Sequence, residues 1–189
     1  MASFFTNNTQ PQQLSQRETL INKYMNARHN LLLIVVFTLI NVVLLVTNSN
    51  TYFLFSAYIP YVIADLGMAL SGKYPAEYYG EDLEGLEFLG DSFLVVTLVI
   101  AAVCLLLYLL SWIFSKKPRV GWMIFALVFF AVDTAGMLLI AGISADMIID
   151  ILFHGWVIVS LISGIIAYFK VKKLPEEEVS VEVENFCAE

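Results

Sequence analysis

Residues 52–70, YFLFSAYIPYVIADLGMAL, decide how this chain is built. The stretch is apolar enough to be taken for a membrane span. It is also crowded with Tyr52, Phe53, Phe55, Tyr58 and Tyr61, has Pro60 at its centre, and carries Asp65 and Gly67. Proline removes a backbone donor and clashes with the turn before it. A carboxylate at membrane depth is expensive. Broken backbone in the hydrocarbon is tolerated where protein shelters it, so 52–70 reads as a re-entrant or surface-lying element. The rival reading is a full fifth span with a tolerated proline.

Around it lie four plainer apolar runs, at about 30–47, 93–114, 121–141 and 147–169. Each is long enough, or nearly so, to cross ~30 Å of hydrocarbon at 1.5 Å per residue. The expected fold is therefore all-α: a polytopic membrane protein with four transmembrane helices, one re-entrant or broken apolar segment, and an amphipathic N-terminal helix. Residues 1–13 are polar and read as disordered. Residues 14–29 read as an interfacial helix, with Leu14, Ile21 and Met25 at helical spacing and Arg17, Lys23 and Arg28 between them. Ser15 and Glu18 have the spacing of a capping box. The transmembrane domain is 30–169, and 170–189 is an acidic tail in which Val179, Val181 and Val183 alternate as a short strand does.

Composition agrees. Apolar residues make up 59% of the 189 and mean hydropathy is +0.78, well above a soluble domain. The net charge of −7 hides an uneven distribution. Basic residues stand beside the apolar runs, and acids gather in 77–91 and after Glu176. No basic stripe lies apart from the membrane flanks, so a nucleic-acid partner is not expected. Cys104 and Cys187 make no metal or lipidation motif, and the first apolar run reads as an uncleaved anchor.

Lys116, Lys117 and Arg119 before the fourth run, and Lys170, Lys172 and Lys173 after the fifth segment, predict cytoplasmic ends. The connection 142–146 is then outside, as is the acidic loop with Glu77, Glu81, Asp82, Glu84, Glu87 and Asp91. Arg17, Lys23 and Arg28 ask for a cytoplasmic N-terminus. All these demands are met only if 52–70 turns back. The expected localisation is the cell membrane, multi-pass, with both termini cytoplasmic.

Polar residues inside the runs are the candidates for function. Asp133 and His154 lie at equal distance from a turn near residue 144, ~12–17 Å below it. Asp146, Asp150 and His154 are spaced i, i+4, i+8, a descending helical ladder. Asn41 and Asp65 come from the same side, so these groups are expected around an outward-facing vestibule. A carboxylate–imidazole group of this kind suits proton or cation handling. It equally suits plain helix-to-helix bonding, which contributes about 0.6–2 kcal/mol per pair. A metal site is the weaker third option, because His29 is the only other histidine and falls at the opposite end. No catalytic motif and no cofactor motif is present. Three function classes remain open. The first is a non-enzymatic membrane component or subunit partnered by the bilayer and by a second copy or another membrane protein. The second is a small transporter or channel using Asp133, Asp150 and His154. The third is a metal-assisted intramembrane enzyme.

Overall fold

The computed structural model describes residues 10–49, 51–53, 55–80, 87–116 and 119–174, and of residues 10–15 and 146 only the backbone. Its helices are α1 (Gln10–Val46), α2 (Tyr58–Leu70), α3 (Asp91–Phe114), α4 (Val120–Ile140) and α5 (Ile148–Lys173), with short 3₁₀ turns at Ala76–Tyr78 and Ala145–Met147. The described residues contain no strand. Residues 1–9, the loop acids Glu81, Asp82 and Glu84, Lys117, and the tail with Val179, Val181 and Val183 lie outside them.

α1, α3, α4 and α5 are long and apolar enough to cross a membrane. The limits of α3, α4 and α5, and the end of α1, fall close to those read from the hydropathy pattern. α2 has 13 residues, about 20 Å at 1.5 Å per residue, too short for a ~30 Å core. The outward faces suit a lipid solvent: Val95, Val96, Val99 and Val103 of α3, and Leu152, Val159 and Ile166 of α5, are all exposed.

The N-terminal region differs from expectation. α1 begins at Gln10 and runs unbroken through residue 30, so 10–13 are helical and Ser15 lies within the helix and not at its start. The physical reason is twofold. No glycine or proline interrupts residues 12–46. Leu20 and Tyr24, beside the face assigned to the membrane surface, are buried in the bundle with Ala27 and Leu31, and Ile21 and Met25 of that face are half-buried.

Where α1 stops, the chain turns back. Asn48 adopts φ 52°, Ser49 N–H bonds Leu44 O at 2.9 Å and Asn48 N–H bonds Leu45 O at 3.0 Å. This is a Schellman stop with Asn in the left-handed position that glycine usually takes. α2 ends in the same way at Gly72 (φ 68°), with Lys73 N–H on Met68 O. The two stops are adjacent: Asn48 Nδ2 donates to Lys73 O at 3.2 Å. α3 starts beside them, since Leu89 N–H bonds Leu70 O and Lys73 pairs with Asp91 at 2.6 Å. Residues 49–73 therefore leave and rejoin the same end of the bundle, which is what a re-entrant segment does.

At the other end, Tyr24 of α1 donates to Ser115 O after α3 and its ring meets Tyr168 of α5. The start of α1 and the end of α5 thus share one end. That end carries Arg17, Lys23, Arg28, Lys116, Arg119, Lys170, Lys172 and Lys173, while Lys73 stands at the opposite one.

Packing divides along the same axis. The larger cluster joins Tyr24, Ala27, Leu31 and Ile34 to Met123, Phe130, Val157 and Leu161. There α1 and α5 approach closely: a Cβ added to Gly164 would lie 2.5 Å from the Ala27 Cβ, and Asn30 Nδ2 donates to Ser160 Oγ at 2.6 Å. Close approach through small residues is how helices gain dispersion contacts in lipid. Ala131 and Ala135, small residues four apart on α4, are exposed. The smaller cluster, Leu45, Ala64, Met68 and Ala101, seats α2 between α1 and α3. A Cβ on Gly67 would come within 1.9 Å of Thr97 Oγ1.

Candidate functional site

The chain re-enters the bundle through residues 51–57, and the site is built around that backbone. No water in the hydrocarbon satisfies its amides and carbonyls, so side chains must. Asn41 of α1 supplies the first set. Its Oδ1 accepts from Phe53 N–H at 2.8 Å, and its Nδ2 donates to Phe53 O at 2.6 Å and to Ser56 Oγ at 2.9 Å. Tyr52 OH and Ser56 Oγ are bonded at 3.0 Å. Phe55 takes φ 76°, an uncommon conformation for a bulky residue. Its ring stands edge-on to Phe153 at 4.8 Å.

The start of α2 completes the accounting. The first amides of a helix have no intrahelical acceptor. Ala57 N–H reaches Thr38 Oγ1 at 2.8 Å. Tyr58 N–H reaches Asp133 Oδ2 at 2.9 Å and Ile59 N–H reaches Asp133 Oδ1 at 2.8 Å. The next residue is Pro60, which has no N–H. Every donor of this helix start is served, and both oxygens of one carboxylate sit at the positive end of the helix dipole. Pro60 is thus a first-turn proline of α2, a position its fixed φ suits, rather than the centre of a broken helix.

His154 closes the site from α5. Its Nδ1 lies 2.7 Å from Asp150 O and its Nε2 lies 3.3 Å from Asp133 Oδ2. A carbonyl only accepts, so Nδ1 carries a proton. A hydrogen bond between Nε2 and Oδ2 needs a proton on one of the two atoms. The ring stacks on Phe130 at 4.9 Å between centroids, 14° from parallel.

Several sequence expectations meet this geometry unevenly. Asp133, His154 and Asn41 are brought onto one re-entrant element. Asp150 joins through its backbone carbonyl, in the first turn of α5. Asp146 falls in the 3₁₀ turn before α5, so the three-step helical ladder has two steps. Asp65 belongs elsewhere: it accepts a short hydrogen bond from Tyr74 OH, some 10 Å along α2 from the helix start. Burial, reinforced by that carboxylate, pushes the Tyr74 phenol well above its ordinary value of 10.0. The groups do not line an open vestibule. Asn41 and His154 are 1% exposed and Asp133 2%, because the re-entrant backbone fills the space between α1, α4 and α5.

Thr38 and Ser56 are the residues that sequence reasoning missed. The signal was present in the Thr38-x-x-Asn41 spacing, which puts two hydrogen-bonding side chains on one face of an apolar helix. Among the described residues no group of three His, Cys, Asp or Glu side chains is placed to hold a metal ion, and His29 is exposed near the opposite end. No family model, curated protein or solved structure matches the chain.

Proposed function

We propose that the protein is a non-enzymatic component of the cell membrane, a subunit or partner-binding protein, with both termini on the cytoplasmic side. One observation supports this most: the side chains of Asn41 and Asp133 are consumed in holding Phe53, Ser56, Tyr58 and Ile59. Asp133 serves two amides and His154, and Asn41 serves Phe53 and Ser56. A pathway for ions needs groups that exchange partners with water, and here they are buried and bonded. The basic residues gathered at one end support the orientation.

In this reading the polar cluster is a fastening. What it fastens is a rigid outer end, made by the two Schellman stops, α2 and the aromatic group Tyr74, Tyr78, Tyr79 and Phe88, whose rings touch in sequence. That end is the surface offered to a second copy or another membrane protein. The test is reconstitution into vesicles with proton and monovalent-cation flux as the readout. Flux equal to that of protein-free vesicles is expected, for wild type and Asp133→Asn alike. Wild-type flux that Asp133→Asn abolishes overturns the proposal in favour of a transporter or channel, for which the shared Asp133–His154 proton is the natural carrier.

A further inference from the structure

At the basic end, where α3 ends and α4 begins, lies a cavity of about 250 Å³ lined by Ile113, Phe114, Lys116 and Arg119. Its two halves differ in chemistry. Ile113 and Phe114 are 44% and 40% exposed and continue the lipid-facing surface of α3. Phe114 is stacked on Trp122 of α4 at 4.9 Å between centroids, which fixes this wall at the level where tryptophan favours the headgroup boundary. Lys116 and Arg119 supply the polar half.

Among the described residues, neither of these two cations has an ion-pair partner. The nearby Arg28 is engaged: its Nε donates to Trp112 O at 3.0 Å and its guanidinium lies over the Trp112 ring. Among the described residues the ion pairs are Lys73–Asp91 and His154–Asp133, so no described acid neutralises Lys116 or Arg119. We propose that this cavity is a binding site for the phosphate of an anionic membrane lipid. Lys116 and Arg119 grip the phosphate oxygens, and the acyl chains run down Ile113 and Phe114. Basic pockets between membrane helices suit such headgroups, and a guanidinium matches phosphate geometry in two-point fashion. The apolar half selects a lipid over a soluble inorganic anion, which has no hydrocarbon to lay against it.

The experiment is native mass spectrometry of the full chain released from nanodiscs of equal phosphatidylglycerol and phosphatidylcholine. Preferential retention of phosphatidylglycerol is expected in wild type. It should fall about thirtyfold in Lys116→Gln/Arg119→Gln, roughly a factor of five for each charge-assisted contact to the phosphate that is lost. Lys170→Gln/Lys172→Gln removes the same charge from the same end outside the cavity and should leave retention within about threefold. Phe114→Ala should weaken lipid retention, and excess inorganic phosphate should not displace the lipid. Equal retention of the two lipids overturns the proposal, as does equal loss in the two double variants. Displacement by inorganic phosphate assigns the cavity to a free anion. A gain in lipid retention on neutralising Glu176, Glu177 and Glu178 to Gln assigns it to the tail. Either result also overturns the proposal.

Discussion

In the half of the bundle that holds Tyr24, Ala27 and Gly164, α1 meets α5 directly; in the half that holds Asn41, Asp133 and His154, re-entrant backbone lies between them. The first half is held by shape. Small residues face each other and apolar side chains close round them, which in lipid contributes through dispersion, since hydrocarbon solvates the separated helices equally well. The second half is held by matched hydrogen bonds: the N–H groups of Phe53, Ala57, Tyr58 and Ile59 find acceptors on Asn41 and Thr38 of α1 and on Asp133 of α4. The difference teaches where polar residues in a membrane protein come from. They are present because the chain broke its helix there, and the broken backbone must be matched group by group.

The largest expected effect is at the carboxylate. Asp133→Ala orphans two buried amides and the His154 ring, and should lower stability by about 3–5 kcal/mol, the range for breaking a buried charged pair. Denaturant unfolding in detergent measures it. A cost below about 1 kcal/mol breaks the contrast between the halves, because α2 would then start without its acceptor. In the shape-held half, Gly164→Ala drives a methyl against the Ala27 Cβ 2.5 Å away and should cost about 1–3 kcal/mol by overpacking. Adding Ala27→Gly should return most of that loss. A swap that recovers nothing means the approach of α1 to α5 is not set by these two residues.

Much of this architecture was legible beforehand. The hydropathy pattern located five apolar segments, and Pro60, Asp65 and the aromatic residues favoured a re-entrant reading of 52–70 over a full crossing. Charge beside the spans required that segment to turn back, and Asn48 with Lys73 shows it doing so. The site was legible only as a depth. Asp133 and His154 could be placed at one level from numbering, yet the principal partners of Asp133 are the amides of Tyr58 and Ile59, and amides have no residue signature. Asp65 was misgrouped for a related reason. Its side of the membrane was clear, but its partner Tyr74 lies beyond the turn at Gly72. The boundary drawn at residue 30 had no physical basis, as helix-forming residues continue through it.

Smaller effects sharpen the contrast. Asn41→Leu removes three hydrogen bonds from 53–56 and should cost about 1–2 kcal/mol, given the modest value of each in a membrane. It should expose position 59 to thiol reagents in an Ile59→Cys background while leaving a label at position 27 protected. Equal opening at both positions contradicts independent halves. The smallest effect is at Tyr74, outside both. Its phenol is raised above 10.0, so its contribution is complete below that pH and is lost as pH rises beyond it. Tyr74→Phe should be less stable than wild type at neutral pH, with the gap closing above pH 10.0. A gap independent of pH rules out the Asp65 bond as its source.

The most direct measurement is sidedness. With Cys104→Ser and Cys187→Ser as background, Asn48→Cys, Lys73→Cys and Arg119→Cys are each exposed to a membrane-impermeant thiol reagent in intact and in opened cells. The account predicts that positions 48 and 73 react from one face and position 119 from the other. Positions 48 and 73 reacting from opposite faces would show that the intervening segment crosses, and the re-entrant element with its Asp133 fastening would not exist.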